Sequence, residues 1–144
     1  MRVASTASLA AAPAAVRAVV ADPERLAETL PNVRLFAWED EPGGPFSAEI
    51  RPALALGEIP VRTVWEPLGG DPVRYRVEGR TDEHRVAFDV TLAVDPDGDG
   101  GTVVDWSLDV HVTGTLRSAG QRVLTAIVAA QARAVLAAVE EAAR

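Results

Sequence analysis

Cysteine is absent from this 144-residue chain, and histidine occurs only twice. The lack of cysteine excludes a disulfide framework, a thiolate metal site and a cysteine nucleophile, and it is typical of a cytoplasmic protein. The two histidines, His84 and His111, have no cysteine partners and no H-x-x-x-H spacing, so a zinc site is not expected. We therefore predict no metal, no cofactor and a cytoplasmic location.

Clustered basic residues and long apolar runs are also missing. The formal net charge is -7 and the arginines are scattered singly, so the surface repels phosphate backbones and we predict no nucleic-acid partner. The most apolar stretch, Val123 to Val139, contains Gln131 and Arg133 and is better explained as a buried amphipathic helix than as an integral membrane segment. Pro13 and several hydroxyl residues interrupt the alanine-rich N-terminus, so we expect no signal peptide.

The sequence does contain a change in the spacing of its apolar residues, from a helical pattern before residue 34 to the alternation of β-strands after it. Pro13 suits a first helical position and begins a short helix to Ala21. A second short helix is predicted to begin at Asp22-Pro23-Glu24. Asp22 can cap its free N–H groups, Pro23 takes its first helical position, and Glu24 lies at the positive end of its dipole. From residue 34 to residue 113, apolar and polar residues alternate in six segments separated by turns rich in Gly, Pro and Asp. Because no room is left for helical crossovers, we predict antiparallel strands joined by hairpins.

A first strand, Val3 to Leu9, and a long last helix complete the predicted order. The helix runs from Leu116 to about Ala142, is capped by Thr115, and spans about 40 Å at about 1.5 Å per residue. It is the only element long enough to cover the apolar face of the sheet. With no internal repeat and no linker, residues 1–144 are predicted to form one α+β domain: a curved antiparallel sheet of about seven strands around a long C-terminal helix, with two short helices after strand 1.

Three segments carry a resemblance to a known family. They are Ala21-Asp22-Pro23-Glu24-Arg25-Leu26 continuing to Leu30-Pro31-Asn32-Val33, then Gly57-Glu58-Ile59-Pro60-Val61-Arg62, and then Val112-Thr113-Gly114-Thr115-Leu116 followed by Gly120-Gln121-Arg122-Val123-Leu124. In this order the chain resembles the START-like, Bet v 1-like (SRPBCC) superfamily of helix-grip proteins and, more narrowly, the carbon monoxide dehydrogenase G-subunit family. The resemblance implies a single START-like ligand-binding domain whose cavity, between sheet and helix, binds lipophilic molecules. It also implies relatives that serve redox enzymes, lipid transfer or polyketide cyclisation.

The residues themselves favour a cavity in the same place. The apolar stripe of the last helix includes small residues such as Gly120, Ala134 and Ala138, whereas the facing strands carry large aromatic side chains. Large flat groups opposite small ones are typical of an apolar pocket, but the aromatic side chains could instead fill the space. The predicted ligand-contacting residues are Phe36, Trp38, Phe46, Ile50, Thr63, Trp65, Tyr75, Val77, Phe88, Val90, Trp106, Leu108, Leu124, Ile127 and Gln131.

Gln131 sharpens this hypothesis, because it falls within the apolar stripe. A buried amide without a hydrogen-bond partner would cost about 1–3 kcal/mol. Its candidate partners are the backbone, Tyr75, Thr63, a water molecule or a ligand carbonyl. We predict that Gln131 faces the pocket.

Signals for catalysis are weak. Asp95 to Gly100 resembles the first half of a calcium-binding loop, but Trp106 stands where the bidentate glutamate is required, so we predict a hairpin turn. General acid–base chemistry needs an ionisable group among the inward-facing residues, and Tyr75 and His84 are the only candidates. His111 lies in the polar phase of its strand and is expected to face solvent. We predict no catalytic residue.

Three functions therefore remain open. The first, which we favour, is a non-catalytic binding or carrier protein for an apolar small molecule, lipid or quinone-like, serving a redox enzyme as its partner. The second is an enzyme resembling polyketide cyclases or isomerases. The third is a protein-interaction module resembling activators of a chaperone ATPase. A monomer and a homodimer are equally compatible with the sequence.

Overall fold

The computed structural model of the protein describes residues 2–31, 33–51, 53–54, 57–58, 60–80, 85–113 and 121–144. The elements along the chain are β1 (Arg2–Leu9), α1 (Pro13–Val20), α2 (Pro23–Thr29), β2 (Val33–Trp38), β3 (Phe46–Ile50), β4 (Ala53–Leu54), β5 (Gly57–Glu58), β6 (Val61–Gly69), β7 (Val73–Arg80), β8 (Arg85–Pro96), β9 (Thr102–Thr113) and α3 (Gln121–Ala142).

The predicted order of elements is confirmed, with one addition. The addition is the pair β4 and β5, whose two-residue strands are too short to show a period in the sequence. One of the six alternating segments of the sequence starts at Ile59, whereas the corresponding strand β6 begins at Val61; Ile59 itself lies outside the described residues. The predicted cap Thr115 and the predicted helix start Leu116 also lie outside them.

Seven of the strands form one antiparallel sheet in the order β1-β9-β8-β7-β6-β3-β2. Hairpins place sequence neighbours side by side throughout the run from β6 to β9, while β1 and β2 form the two edges. The edge strand β2 contains a bulge between Arg34 and Ala37, where Leu35 has a φ of 55° and is exposed. Irregularities of this kind protect an edge strand from pairing with another chain.

The alternating sequence pattern decides which face of the sheet is buried. In β7, for example, Val73, Tyr75 and Val77 are buried whereas Arg74 and Arg76 are exposed. Because successive side chains of a strand point to opposite faces, this pattern gives the sheet one wet face and one apolar face. The apolar face is the one that the helices cover.

The two short helices close one end of that face. The α2 helix begins as the sequence predicts: Pro23 follows Asp22, whose Oδ1 accepts a hydrogen bond from the backbone N–H of Glu24 at 3.0 Å. In α1, three valines are fully buried, and Arg17 Nη2 donates to the carbonyl oxygen of Val94 in β8 at 2.7 Å. The arginine contact anchors α1 directly to the sheet.

The side of α3 that faces the sheet is not the side that the sequence predicted. Leu136 and Val139 are buried, and Ala132 is half-buried, whereas Ala134 is exposed. At about 100° per residue, Ala134 lies about 200° around the helix from Ala132. The prediction that Ala134 belongs to the inward stripe is therefore wrong. None of the helices within the described residues combines the length and the apolar character that a membrane-spanning helix requires.

A candidate ligand cavity between the sheet and the last helix

A cavity of about 170 Å³ lies between the apolar face of the sheet and α3, with α1 and α2 contributing to its wall. The strands β3, β6, β7, β8 and β9 supply aromatic and aliphatic side chains, and α3 supplies small and aliphatic ones. Among the described residues, the lining consists of Val20, Leu26, Leu30, Ile50, Trp65, Tyr75, Val86, Phe88, Val90, Leu92, Trp106, Leu108, Val110, Val128, Gln131, Ala132, Val135, Leu136 and Val139.

The centre of the sheet is incompletely covered. Phe88 and Val90 in β8 and Leu108 in β9 lie on interior strands, and Val90 pairs directly with Leu108. In a filled core, inward-facing residues at such positions are packed on all sides. These three are only half-buried, because they pack against the core on one side and border the cavity on the other.

The polar atoms of the aromatic wall are paired within the protein. The Trp65 indole N–H donates to Thr63 Oγ1 at 2.9 Å, and the Thr63 hydroxyl donates to the carbonyl oxygen of Ala48 at 2.7 Å. The Tyr75 hydroxyl donates to the carbonyl oxygen of Val20, the last residue of α1, at 2.7 Å. Trp65 and Tyr75 consequently present mainly apolar ring surface to the cavity.

Tyr75 is also the one titratable group among the described residues that line the cavity. Burial raises the pKa of its phenol well above the ordinary value, and the nearby carboxylate of Asp22 raises that pKa further. The phenol is therefore uncharged at neutral pH. The described wall offers no formal charge to a ligand.

Gln131 lies in the cavity wall, on α3, and is half-buried. Its side-chain amide has no hydrogen-bond partner among the described residues, and neither Tyr75 nor Thr63 supplies one. No described backbone group pairs with this amide either, so within the described part of the chain a water molecule and a ligand group are the partners left from the sequence-based alternatives. This amide is the most polar feature of the wall as far as the described residues form it.

The structure brings together eight of the predicted contact residues and places five others away from the cavity. Those in the wall are Ile50, Trp65, Tyr75, Phe88, Val90, Trp106, Leu108 and Gln131. Phe36, Trp38, Phe46, Thr63 and Val77 do not line the cavity. The side chains of Leu124 and Ile127 lie outside the described part of the structure. Ligand contact by any of these residues stays a prediction.

Most of the separated residues belong to an aromatic row that crosses β2, β3, β6 and β7. Phe36 packs edge-on against Trp38 with ring centroids 5.1 Å apart, Phe46 stacks on Trp65 at 5.7 Å, and Trp65 meets Tyr75 at 6.1 Å. Such pairs add to the stability that burial alone gives. Thus aromatic side chains fill space at the β2 side of the sheet, whereas the cavity opens at the β8 and β9 side.

Several wall residues were not predicted. Val86, Leu92 and Val110 continue the inward phase of β8 and β9, so the alternation in the sequence contained the signal for them. Leu26 and Leu30, in and just after α2, could not be found in this way, because only the tertiary structure places that helix over the cavity.

The calcium-like segment forms a hairpin turn between β8 and β9, which confirms the prediction. Asp97 Oδ1 accepts hydrogen bonds from the backbone N–H groups of Asp99 and Gly101, at 2.7 Å and 3.0 Å. Gly98 and Gly100 adopt φ values of 93° and 87°, which other residues rarely tolerate. Pro96 pairs with Thr102 across the turn.

The two histidines differ in what the structure says of them. His111 is exposed, which confirms its predicted solvent-facing position, and His84 lies outside the described residues. Within the described part of the chain, no group of three or more acidic or histidine side chains is arranged to hold a metal ion.

Solved structures share this fold at low sequence identity. A conserved protein from Geobacillus kaustophilus superposes with a TM-score of 0.85 at 15% identity, covering 99% of this chain and 95% of its own. A START superfamily protein from Mycobacterium smegmatis superposes with a TM-score of 0.72 at 14% identity, and the match covers 97% of this chain and 94% of its own. The di-domain ARO/CYC protein StfQ from the steffimycin biosynthetic pathway gives 0.65 at 15% identity, covering 99% of this chain and 50% of its own.

A family model supplies the assignment that these identities cannot. No curated protein matches the sequence. The model described as polyketide cyclase / dehydrase and lipid transport matches residues 1–144. The seven-stranded curved sheet, the two short helices and the long C-terminal helix are those of the helix-grip fold. The chain therefore belongs to the polyketide cyclase / dehydrase and lipid transport family.

Proposed function

We propose that the protein is a non-catalytic carrier that holds an apolar small molecule between the sheet and α3. The observation that carries this proposal is the half-buried state of Phe88, Val90 and Leu108 at the centre of the sheet. Leaving these three apolar side chains partly uncovered forfeits burial worth about 25 cal/mol for each Å² left in water. A bound apolar molecule would recover that free energy.

The character of the wall supports a carrier more than an enzyme. A cyclase or isomerase on this fold would need a general acid or base, and Tyr75 is the only described wall residue that titrates. Its raised pKa makes the phenol a weak acid, and its proton is already donated to the carbonyl oxygen of Val20. Tyr75 is accordingly better suited to hold α1 against the sheet than to transfer protons.

The finer parts of the proposal follow from the family resemblance. The carbon monoxide dehydrogenase G-subunit family is the relative that the sequence motifs suggest, and it implies a quinone-like or lipid ligand and a redox enzyme as partner. The absence of formal charge from the described wall is compatible with an uncharged ligand of this kind.

Native mass spectrometry of freshly purified protein tests the proposal, followed by solvent extraction and identification of anything released. We expect an apolar compound bound at one copy per chain. Two neutral probes, p-cresol and the larger N-phenyl-1-naphthylamine, serve as an independent test, because an unloaded carrier should bind at least one of them and release it when the extracted compound is added. A clean unloaded mass together with no probe binding would contradict the proposal.

A further inference from the structure

The Gln131 amide is the most polar group in the described part of the wall. Its side chain is one helical turn from the half-buried Val128 and Val135, and the surfaces around it are otherwise aliphatic and aromatic. A primary amide carries two N–H donors and a carbonyl acceptor, so it can pair with a hydroxyl, a carbonyl or both. Among the described residues nothing uses this capacity.

Neighbouring polar groups are already engaged. The Trp65 N–H is bound to Thr63, and the Tyr75 hydroxyl is bound to the carbonyl oxygen of Val20. Neither group can turn toward Gln131 without breaking an internal hydrogen bond. As far as the described residues show, the amide is therefore available to a molecule that enters the cavity.

The charge of the ligand is restricted by what the wall lacks. No arginine, aspartate, glutamate or histidine belongs to the described lining, and the Tyr75 phenol is uncharged. An ion placed in such a space would lose its hydration without gaining a counter-ion, which is strongly unfavourable. The described wall therefore favours a ligand that is neutral where it lies beside Gln131.

The volume of the cavity restricts the size of the ligand. Its 170 Å³ is close to the volume of about 150 Å³ of an engineered apolar cavity that binds benzene. Sites for drug-sized molecules usually measure about 300–1,000 Å³. The cavity as it stands therefore matches one six-membered ring with a small substituent.

We propose that the cavity takes a neutral molecule the size of a single aromatic ring, and that a hydroxyl or carbonyl group on this molecule pairs with the Gln131 amide. This inference rests on the proposed carrier function and adds to it the size and charge of the ligand and the residue that recognises its polar group. Gln131 is in this view the residue that decides specificity among apolar ligands of similar shape.

Three small probes of matched shape test the inference: toluene, p-cresol and p-methylbenzoate. Their dissociation constants are measured at neutral pH by chemical-shift titration of the three tryptophan indole signals. We expect p-cresol to bind about fivefold more tightly than toluene, since one net hydrogen bond separates them. We expect p-methylbenzoate to bind at least about a hundredfold more weakly than p-cresol.

Two variants locate the effect. Gln131→Met keeps the length of the side chain and its preference for helix but removes the amide. It should abolish the advantage of p-cresol over toluene while toluene binds as before. Ala130→Met introduces the same side chain at an exposed position of the same helix and should leave the ratio unchanged.

The possible failures are separable from one another. If p-cresol and toluene bind equally in the wild type, or if their ratio is the same in Gln131→Met, the role of Gln131 is overturned although the carrier function stands. If none of the three binds but N-phenyl-1-naphthylamine does, the size class is overturned. Tight binding of p-methylbenzoate overturns the requirement for a neutral ligand. If no probe binds at all, the carrier function itself fails.

Discussion

At the scale of single residues, Tyr75 joins the cavity wall to the helical layer. Its ring is almost completely buried, and its hydroxyl donates to the last carbonyl group of α1. The same side chain therefore determines both the shape of the cavity and the position of the helix that closes one end of it. Tyr75 is the only tyrosine in the chain, so its titration can be observed directly.

We predict that alkaline conditions destabilise the protein through Tyr75. Above a pH of about 10 the unfolded chain loses the phenolic proton, whereas burial raises the pKa in the folded state so that the proton is retained. Because the unfolded state then binds fewer protons, the free energy of unfolding falls as pH rises, and it is unaffected below about pH 10. Urea unfolding across this range, with tyrosinate absorbance as a second signal, measures both effects.

The variant Tyr75→Phe is the control for this prediction. It should remove the alkaline dependence that Tyr75 contributes and should lower stability at neutral pH by about 1–3 kcal/mol, because the Val20 carbonyl loses its partner. An absorbance titration of the wild type that shows an ordinary tyrosine pKa in the folded protein would contradict the prediction.

At the scale of elements, the β8–β9 hairpin shows how one aspartate can determine a turn. Two backbone N–H groups converge on Asp97 Oδ1, while the neighbouring Asp99 contributes only its backbone to these bonds. We predict that Asp97→Ala lowers the free energy of unfolding by about 1–2 kcal/mol, as the loss of a capping side chain does. Asp99→Ala is the matched control and should have little effect in the same urea unfolding measurement.

Calcium should change the stability of neither the Asp97→Ala and Asp99→Ala variants nor the wild type. The hairpin uses its carboxylate for backbone hydrogen bonds, and the glutamate that completes a calcium loop is absent. Thermal unfolding with and without calcium checks this, and a calcium-dependent rise in the melting temperature of the wild type would show that the hairpin interpretation is incomplete.

The inward phase of α3 can be tested with two alanines. Ala132 lines the cavity and Ala134 is exposed. We predict that Ala132→Leu fills part of the cavity and weakens binding of p-cresol at least about tenfold, with a change in stability within about 1.5 kcal/mol. Ala134→Leu should bind the probe like the wild type. Weaker binding by Ala134→Leu and unchanged binding by Ala132→Leu would mean that Ala134 faces the cavity, as the sequence suggested.

At the scale of the whole molecule, the sequence was more informative about the fold than about the site. Alternation along β7, β8 and β9 and the Asp22-Pro23 helix start are local patterns, and each produced the element that it predicts. Which side of α3 faces the sheet could not be predicted in the same way, because valine and alanine occur on both sides of that helix. Its orientation is decided by packing against strands that are distant in the sequence.

The site was only partly predictable for a related reason. Alternation correctly placed Phe88, Val90 and Leu108 on the inward face, but it could not distinguish an inward residue that packs from one that borders a void. Phe46 and Trp65 both point inward, yet one is enclosed by aromatic neighbours and the other lines the cavity. Only the arrangement of several strands in space separates these cases.

We predict that residues 1–144 unfold as one cooperative unit, as the single-domain interpretation of the sequence requires. Tryptophan fluorescence reports mainly on the sheet, whereas far-ultraviolet circular dichroism is dominated by the helices. The two transitions in urea should therefore have the same midpoint. Separate midpoints would show that α3 and the sheet unfold independently.

The cavity has a consequence for the response to hydrostatic pressure. Unfolding eliminates internal void volume, so a protein with an uncovered space in its core occupies more volume when folded and is destabilised by compression. We expect pressure to unfold the unloaded protein more readily than the Ala132→Leu variant, and a bound ligand to raise the midpoint pressure of the wild type. High-pressure tryptophan fluorescence measures all three midpoints, and equal values would mean that the space between the sheet and α3 closes in solution.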